Sequence, residues 1–342
     1  MTQRLQSLDV FRGATVAAML LVNNPGTWSA IYAPLRHAEW HGWTPTDLIF
    51  PFFLFIVGIT TALAPKEPKA ILRRGALIVL FGLLLNAFPY FRLDTLRWSG
   101  VLQRIGIVYI VAALIARYVS RRVMAILVAV ILLGYWAILA QGPLEPPDAT
   151  VAARIDRAVL GPDHIWKSAK TWDPEGPLST IPAVATALIG ILVTPLVRAR
   201  NLARLLLAGA AMLAGGLLWH RAFPINKNLW TSSYVVFTAG FACVILAACI
   251  WIIDVRGWRG WTKPFVVYGM NPLIAFLGSG AMARLFGIIK VDGVTLHAKI
   301  YRALFKPYFE PHFASLLYAL TFVGVWLAIL WVLYRRNLIL KV

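Results

Sequence analysis

Ten predominantly apolar stretches follow one another along this chain, at 10–25, 46–64, 71–91, 100–117, 122–140, 178–197, 203–220, 229–253, 263–283 and 313–334. About 20 apolar residues in a row suffice to cross a bilayer as a helix. Only structures that satisfy their own backbone groups survive in hydrocarbon, and for stretches of this length that structure is the α-helix. The expected fold is therefore all-α: a polytopic integral membrane protein of about ten transmembrane helices, with 1–342 forming a single transmembrane domain. Composition agrees, since 60% of residues are hydrophobic and only 14% charged. A soluble domain carries about 25% charged residues. The mean hydropathy of +0.72 points the same way.

The net charge of +19 does not imply a nucleic-acid partner. Nucleic-acid binders gather their cations in patches or stripes, whereas here a few punctuate each loop. One set of loops collects 18 of the 33 basic residues: Arg4, Arg12, Lys66, Lys69, Arg73, Arg74, Arg117, Arg121, Arg122, Arg198, Arg200, Arg204, Arg256, Arg259, Lys263, Arg335, Arg336 and Lys341. Only three acids, Asp9, Glu67 and Asp254, accompany them. Short loops dense in Lys and Arg face the cytoplasm, so both termini are expected there. The opposite, exoplasmic side then receives three long loops, 26–45, 141–177 and 284–312. Within the last, 298–309 reads as a short interfacial helix. No A-x-A-like cleavage site follows the first apolar stretch, so that span is expected to remain as an anchor. No clear internal repeat is visible, which leaves an inverted-repeat transporter unsupported.

Polar residues inside spans are costly and mark candidate functional positions. Asn23 and Asn24 end the first span, and Asp47 opens the second. Gln103 and Arg104 interrupt the fourth. Asn226, Lys227 and Asn228 precede the eighth, and Asn271 with Pro272 breaks the ninth. Each also has an ordinary explanation. Asp47 suits a helix cap, Arg104 suits snorkelling to the interface, and Asn271 suits a kink whose amide repairs the backbone. Cys243 and Cys249 read as small buried residues. Among six histidines, His37 stands out, because it follows the broken end of the first span and precedes Asp47 by ten positions. His37 and His41 are four apart, which invites a metal. Gly42 and Pro45 argue against a regular helix there, and no HExxH pattern is present.

Several blocks, in order, resemble the transmembrane acetyltransferases typified by heparan-α-glucosaminide N-acetyltransferase, including bacterial NagX-type relatives. They are Arg4–Gly13 with Val22-Asn23, His37-Ala38-Glu39-Trp40 through Thr44, Asp47 and Phe50-Pro51, and Gly100–Gly106. Ile155–Arg157, Leu160–His164, Asp173–Gly176, Asn226–Thr231 and Gly269–Asn271 complete the set. Together they cover nearly the whole chain. Relative to the lysosomal member, neither its lumenal domain nor its leading span is expected here. His41 stands where that member has Asn.

The resemblance implies acetyl transfer from cytosolic acetyl-CoA to the amine of a glucosamine-type sugar or glycan on the far side of the membrane. The membrane would be the bacterial inner membrane, and the protein a homodimer without a metal. It implies His37 and Asn23 as catalytic residues. Asp47, Glu175, Trp40 and Asn228 are expected on the acceptor, and Arg104, Lys227, Asn226, Trp230, Asn271 and Arg12 on acetyl-CoA. An aminosugar permease without chemistry, and an O-acetyltransferase of envelope polysaccharide, remain the rival readings.

Overall fold

The structure is a computed structural model that describes residues 5–340; Arg4 and Lys341 of the basic set lie outside it. Thirteen helices account for most of the described chain. In order they are α1 (Gln6–Asn23), α2 (Ile49–Leu63), α3 (Pro68–Ala87), α4 (Val101–Tyr118), α5 (Arg121–Leu139), α6 (Val151–Leu160) and α7 (Pro177–Arg198). They continue with α8 (Leu202–His220), α9 (Ser232–Cys249), α10 (Lys263–Met270), α11 (Pro272–Ile288), α12 (Leu296–Leu304) and α13 (Pro311–Arg335). The only strands among the described residues form a two-residue antiparallel pair, with Lys290 opposite Thr295.

Eight helical segments are long and apolar enough to cross a membrane: Pro45–Leu63, α3, α4, α5, α7, α8, Ser232–Val255 and α13. The expected ninth span is broken. α10 and α11 meet at Asn271 with a bend of 83°, the geometry of a broken span or of a re-entrant loop. The expected first span exists as α1, 18 residues long, yet it is not among the clear crossings. It carries Asp9 and Arg12 in its first turns and closes on Asn23, so its apolar content is diluted. The loop at 141–177 is more ordered than its sequence suggests, because α6 lies within it and buries Ala152, Ala153 and Asp156. Thr150 caps α6 by accepting from the Ala153 N–H, the side-chain replacement that a first helical turn needs. α12 occupies the place expected for an interfacial helix.

The chain divides into two compact units. One comprises the chain up to His37, Thr44–Phe50 and the chain from Cys249 onward. There α1 runs against α10 at close range. A Cβ at Gly13 would collide with the Phe265 carbonyl, and one at Gly269 with the Asp9 carbonyl. Small residues of this kind let membrane helices approach backbone to backbone. Arg12 exploits the approach. Its Nε donates to the Gly269 carbonyl at 2.7 Å and its Nη2 to Asp9 at 2.7 Å. The Gly269 carbonyl sits at the end of α10, where no further helical N–H can reach it. Across the break, the Asn271 amide donates to the Leu338 carbonyl and accepts from the Leu340 N–H, both at 3.0 Å. The C-terminal backbone thus satisfies the side chain that the bend exposes.

The second unit comprises Ala38–Trp43 and Pro51–Ala248. Its centre is α7, 78% of whose apolar window is buried, against 22% for α3 and 17% for α8. α3 and α8 therefore present most of their surface outward. α2 meets α7 where Gly58 abuts the Ala187 carbonyl and Gly190 abuts that of Phe55. α3 and α4 form an antiparallel hairpin, with Gly75 against Ile110 and Gly82 against Gln103. Arg198 closes one end of the unit by donating to the Ala62 and Leu63 carbonyls at 3.2 and 3.3 Å.

Candidate active site

In the first unit, the segment leading to α2 builds a histidine–carboxylate pair. Thr44 precedes a short 3-10 turn, Pro45–Leu48, and forms a capping box with Asp47. The Thr44 N–H donates to Asp47 Oδ2 at 3.0 Å, and the Thr44 hydroxyl donates to the Arg36 carbonyl at 2.6 Å. The Thr46 hydroxyl donates to the Pro34 carbonyl at 3.1 Å. These bonds fold residues 34–37 back over the turn. The second Asp47 oxygen then accepts from His37 Nδ1 at 2.6 Å. Asp47 is 1% exposed while His37 is 46% exposed, so the carboxylate is internal and the ring projects. With Nδ1–H given to the carboxylate, the neutral ring keeps its lone pair on Nε2. Asp47 is thus both the helix cap and the residue that orients His37. It was expected on the acceptor, and its two oxygens are instead engaged within the chain.

Asn23 ends α1 and is exposed, with no side-chain hydrogen bond among the described residues. Asn24 turns back to the Leu20 carbonyl at 2.8 Å and caps the helix. Arg12 and Asn271, both expected on acetyl-CoA, hold the α10 terminus and the C-terminal backbone as described above.

The second unit treats His41 differently. Its Nε2 lies 2.9 Å from Glu145 Oε1, and its Nδ1 lies 3.2 Å from Asn226 Nδ2. The amide orientation follows from the network, because Asn226 Oδ1 already accepts from the Leu229 N–H at 2.8 Å. Asn226 Nδ2 therefore donates to His41 Nδ1, and Nε2–H donates to Glu145. Burial lowers the His41 pKa; Glu145 opposes that shift and His220 adds to it. Both His41 ring nitrogens are thus occupied. Neighbouring Trp40 donates from its indole to the Leu144 carbonyl at 2.8 Å and packs edge-on against Trp172.

Asn226 does more than meet His41. It is fully buried, its N–H donates to Thr231 Oγ1 at 3.0 Å, and its carbonyl accepts from the Thr231 N–H at 3.1 Å. This turn carries Lys227 and Asn228, both half-buried, and sets Trp230 at φ +52°. A bulky residue there is an outlier. Trp230 is held in place by its indole N–H to Thr186 Oγ1 at 3.2 Å and by the Lys227 carbonyl. Its ring receives the Arg104 guanidinium at 4.9 Å from the centroid. Arg104 is 1% exposed and donates to the Ser179 and Thr180 hydroxyls at the start of α7. It does not snorkel. A buried guanidinium over an aromatic face is a strong, oriented cation.

A second charged centre stands nearby in the sequence of this unit, and it was not anticipated from the residues alone. Arg97 pairs with both Asp173 oxygens and with Glu175. Burial works against its charge, but the two carboxylates outweigh it and hold the guanidinium above its ordinary value. Asp173 is likewise held below the usual carboxylate range: burial opposes its charge, but Arg97 prevails. Asp173 also accepts from the Trp166 and Glu175 N–H groups. Asp156 accepts from the Asp173 N–H at 2.9 Å, and burial pushes its own pKa up to about 7. Glu175, expected on the acceptor, is committed to this clamp. The only signal in sequence was the acidic pair at 173 and 175; nothing there named Arg97 as its partner.

Similarity to known proteins completes the picture. The profile of the family described as "Heparan-alpha-glucosaminide N-acetyltransferase, catalytic" matches residues 4–153. That range contains His37, Asp47, Arg97 and Arg104. Heparan-alpha-glucosaminide N-acetyltransferase of Homo sapiens is 27% identical over 99% of this chain, and that of Mus musculus is likewise 27% identical over 99%. The chain spans 60% of the length of each. By ordered motifs, by the profile over residues 4–153 and by similarity along 99% of its own length, this polytopic helical chain is similar to the heparan-α-glucosaminide N-acetyltransferases.

Proposed function

We propose that the protein is a membrane-bound acetyltransferase that moves the acetyl group of acetyl-CoA onto the amine of a glucosamine-type sugar. The cofactor would reach it from the cytosol and the acceptor from the exoplasmic side, in the inner membrane of a bacterium, with the protein acting as a homodimer. The observation that carries this reading is the projecting His37 ring held at Nδ1 by buried Asp47. The relatives' names supply the reaction class, and the loop charges supply the orientation.

Amide formation from a thioester requires the neutral amine to attack the carbonyl carbon, the C–S bond to break, and one amine proton to leave. His37 Nε2 is the base for that proton and delivers it to the departing thiolate. Asp47 keeps the ring in the required tautomer and supplies the counter-charge while the ring holds the proton. Asn23, exposed at the end of α1, is assigned as donor to the oxyanion that develops on the carbonyl. The alternative, in which His37 takes the acetyl group first, uses the same nitrogen as a nucleophile. In the second unit, Arg104 and Lys227 supply cations of the kind that CoA phosphates need, and Trp230 supplies an aromatic face. Trp40 and Asn228 are assigned to the acceptor.

The test is a purified-protein assay with acetyl-CoA and glucosamine. N-acetylglucosamine and free CoA are expected in equal amounts. Sugar uptake into vesicles without CoA release would replace the enzyme by a permease. Acetylation of hydroxyls alone would replace the acceptor. Arg104→Ala is expected to weaken acetyl-CoA binding more than glucosamine binding, and an unchanged CoA dissociation constant removes Arg104 from the cofactor site.

A further inference from the structure

The α3–α4 hairpin has two unlike ends. At one, Arg97 is balanced inside the protein by Asp173 and Glu175. The opposite end brings together the α2–α3 loop, the first turns of α3 and the α4–α5 turn, with Arg117 paired to Glu67 at 2.7 Å. It carries Lys66, Lys69, Arg73, Arg117, Arg121 and Arg122, and Glu67 is the one acid between 64 and 74 or 117 and 122. That carboxylate is already taken by Arg117. Arg74, next in sequence, lies over the Tyr109 ring at 5.1 Å, and its buried Nε has no hydrogen-bond partner among the described residues. No ion pair to Lys69, Arg73, Arg121 or Arg122 exists among the described residues. The counter-charge for this end must therefore come from outside the chain.

The surface beneath these cations says what brings it. α3 turns Leu72, Leu80 and Leu84 outward at 50%, 48% and 46% exposure, and α5 turns Ile126 and Val130 outward at 61% and 59%. Cations at the helix ends above an outward apolar wall match a molecule with an anionic head and a hydrocarbon tail. A zwitterionic head brings its own cation and leaves the excess uncompensated. We propose that this end of the α3–α5 segment is a binding site for an anionic phospholipid. Its phosphate sits among Lys69, Arg73, Arg121 and Arg122, and its chains lie along Leu72, Leu80 and Leu84. The site is separate from the residues assigned to acetyl transfer and does not depend on that assignment.

The experiment is native mass spectrometry of the purified protein, equilibrated with equal phosphatidylglycerol and phosphatidylcholine. Preferential retention of phosphatidylglycerol is expected. A cation beside a charged membrane surface contributes about 1 kcal/mol, or roughly fivefold. Lys69→Gln with Arg73→Gln is thus expected to lower the preference about 25-fold. Arg302→Gln with Lys306→Gln, an exposed pair elsewhere, should leave it unchanged. Equal retention of the two lipids overturns the proposal, as does an unaltered preference in the Lys69/Arg73 variant. Displacement of the bound lipid by millimolar inorganic phosphate or by acetyl-CoA also overturns it, assigning these cations to a soluble phosphate instead.

Discussion

His37 and His41 are four residues apart and meet opposite fates. His37 gives one nitrogen to a buried carboxylate and projects the rest of its ring. His41 gives one nitrogen to Glu145, takes a hydrogen bond on the other from Asn226, and is 22% exposed. The first arrangement is that of a projecting ring whose orientation a buried carboxylate fixes. The second is that of a strut, which ties the 38–43 segment to the turn that carries Trp230. Residue type and spacing cannot separate the two roles. Their partners can.

The sharpest way to break this contrast is to remove each ring. His37→Ala is expected to lower acetyl transfer by about 10²–10⁴-fold, the range for loss of a general base, with acetyl-CoA binding retained. His41→Ala should lower it far less. Equal losses in steady-state kinetics would mean that the two histidines share one role.

A comparable effect, on stability rather than rate, is expected at the charged centre of the second unit. Arg97→Met leaves Asp173 and Glu175 buried without their cation, and such a loss costs about 3–5 kcal/mol. Thermal unfolding in detergent reads it. A variant as stable as the parent would show that the clamp is not structural.

Asp47→Asn tests orientation. The amide can still cap the turn, but it no longer dictates which His37 nitrogen carries the proton. Groups that orient an imidazole typically contribute about 10–100-fold, so kcat is expected to fall by that much with little change in KM. A rise in KM alone would return Asp47 to the acceptor site.

The smallest effect concerns pH. His41 has its pKa lowered from 6.5 by burial, so the unfolded chain takes up its proton more readily than the folded one. The stability it contributes is present above about pH 6.5 and declines as pH falls below that value. Protonation also turns Nδ1 into a donor facing the Asn226 amide donor, which breaks that bond. Wild type is expected to lose at most about 1 kcal/mol between pH 6.5 and 5 relative to His41→Asn. Unfolding curves that run parallel over this range would remove the strut role.

Much of the architecture was legible from sequence, because a bilayer leaves a long apolar segment only one way to satisfy its backbone. Helix positions follow, including the break at Asn271 and the short helix α12. The status of α1 was less legible: Asp9 and Arg12 pair within its first turns, but Arg12 Nε finds the Gly269 carbonyl only when α10 lies alongside. The ordered motifs singled out His37, and the spacing to Asp47 was visible, although its meaning was not.

What only the tertiary structure decided is which polar residues serve the fold. Arg12 meets a carbonyl 257 positions away, Asn271 meets backbone 67 and 69 positions on, and Arg97 meets Asp173 across 76. Of the three, sequence marked only Asn271 as costly to bury, and that inference was sound. A hydrogen bond or ion pair, however, forms only within about 3 Å, and no periodicity or motif encodes which distant segment arrives there. Sequence therefore determined the solvent, the helices and the identity of the polar groups. Packing determined their partners, and with them which histidine a buried carboxylate orients.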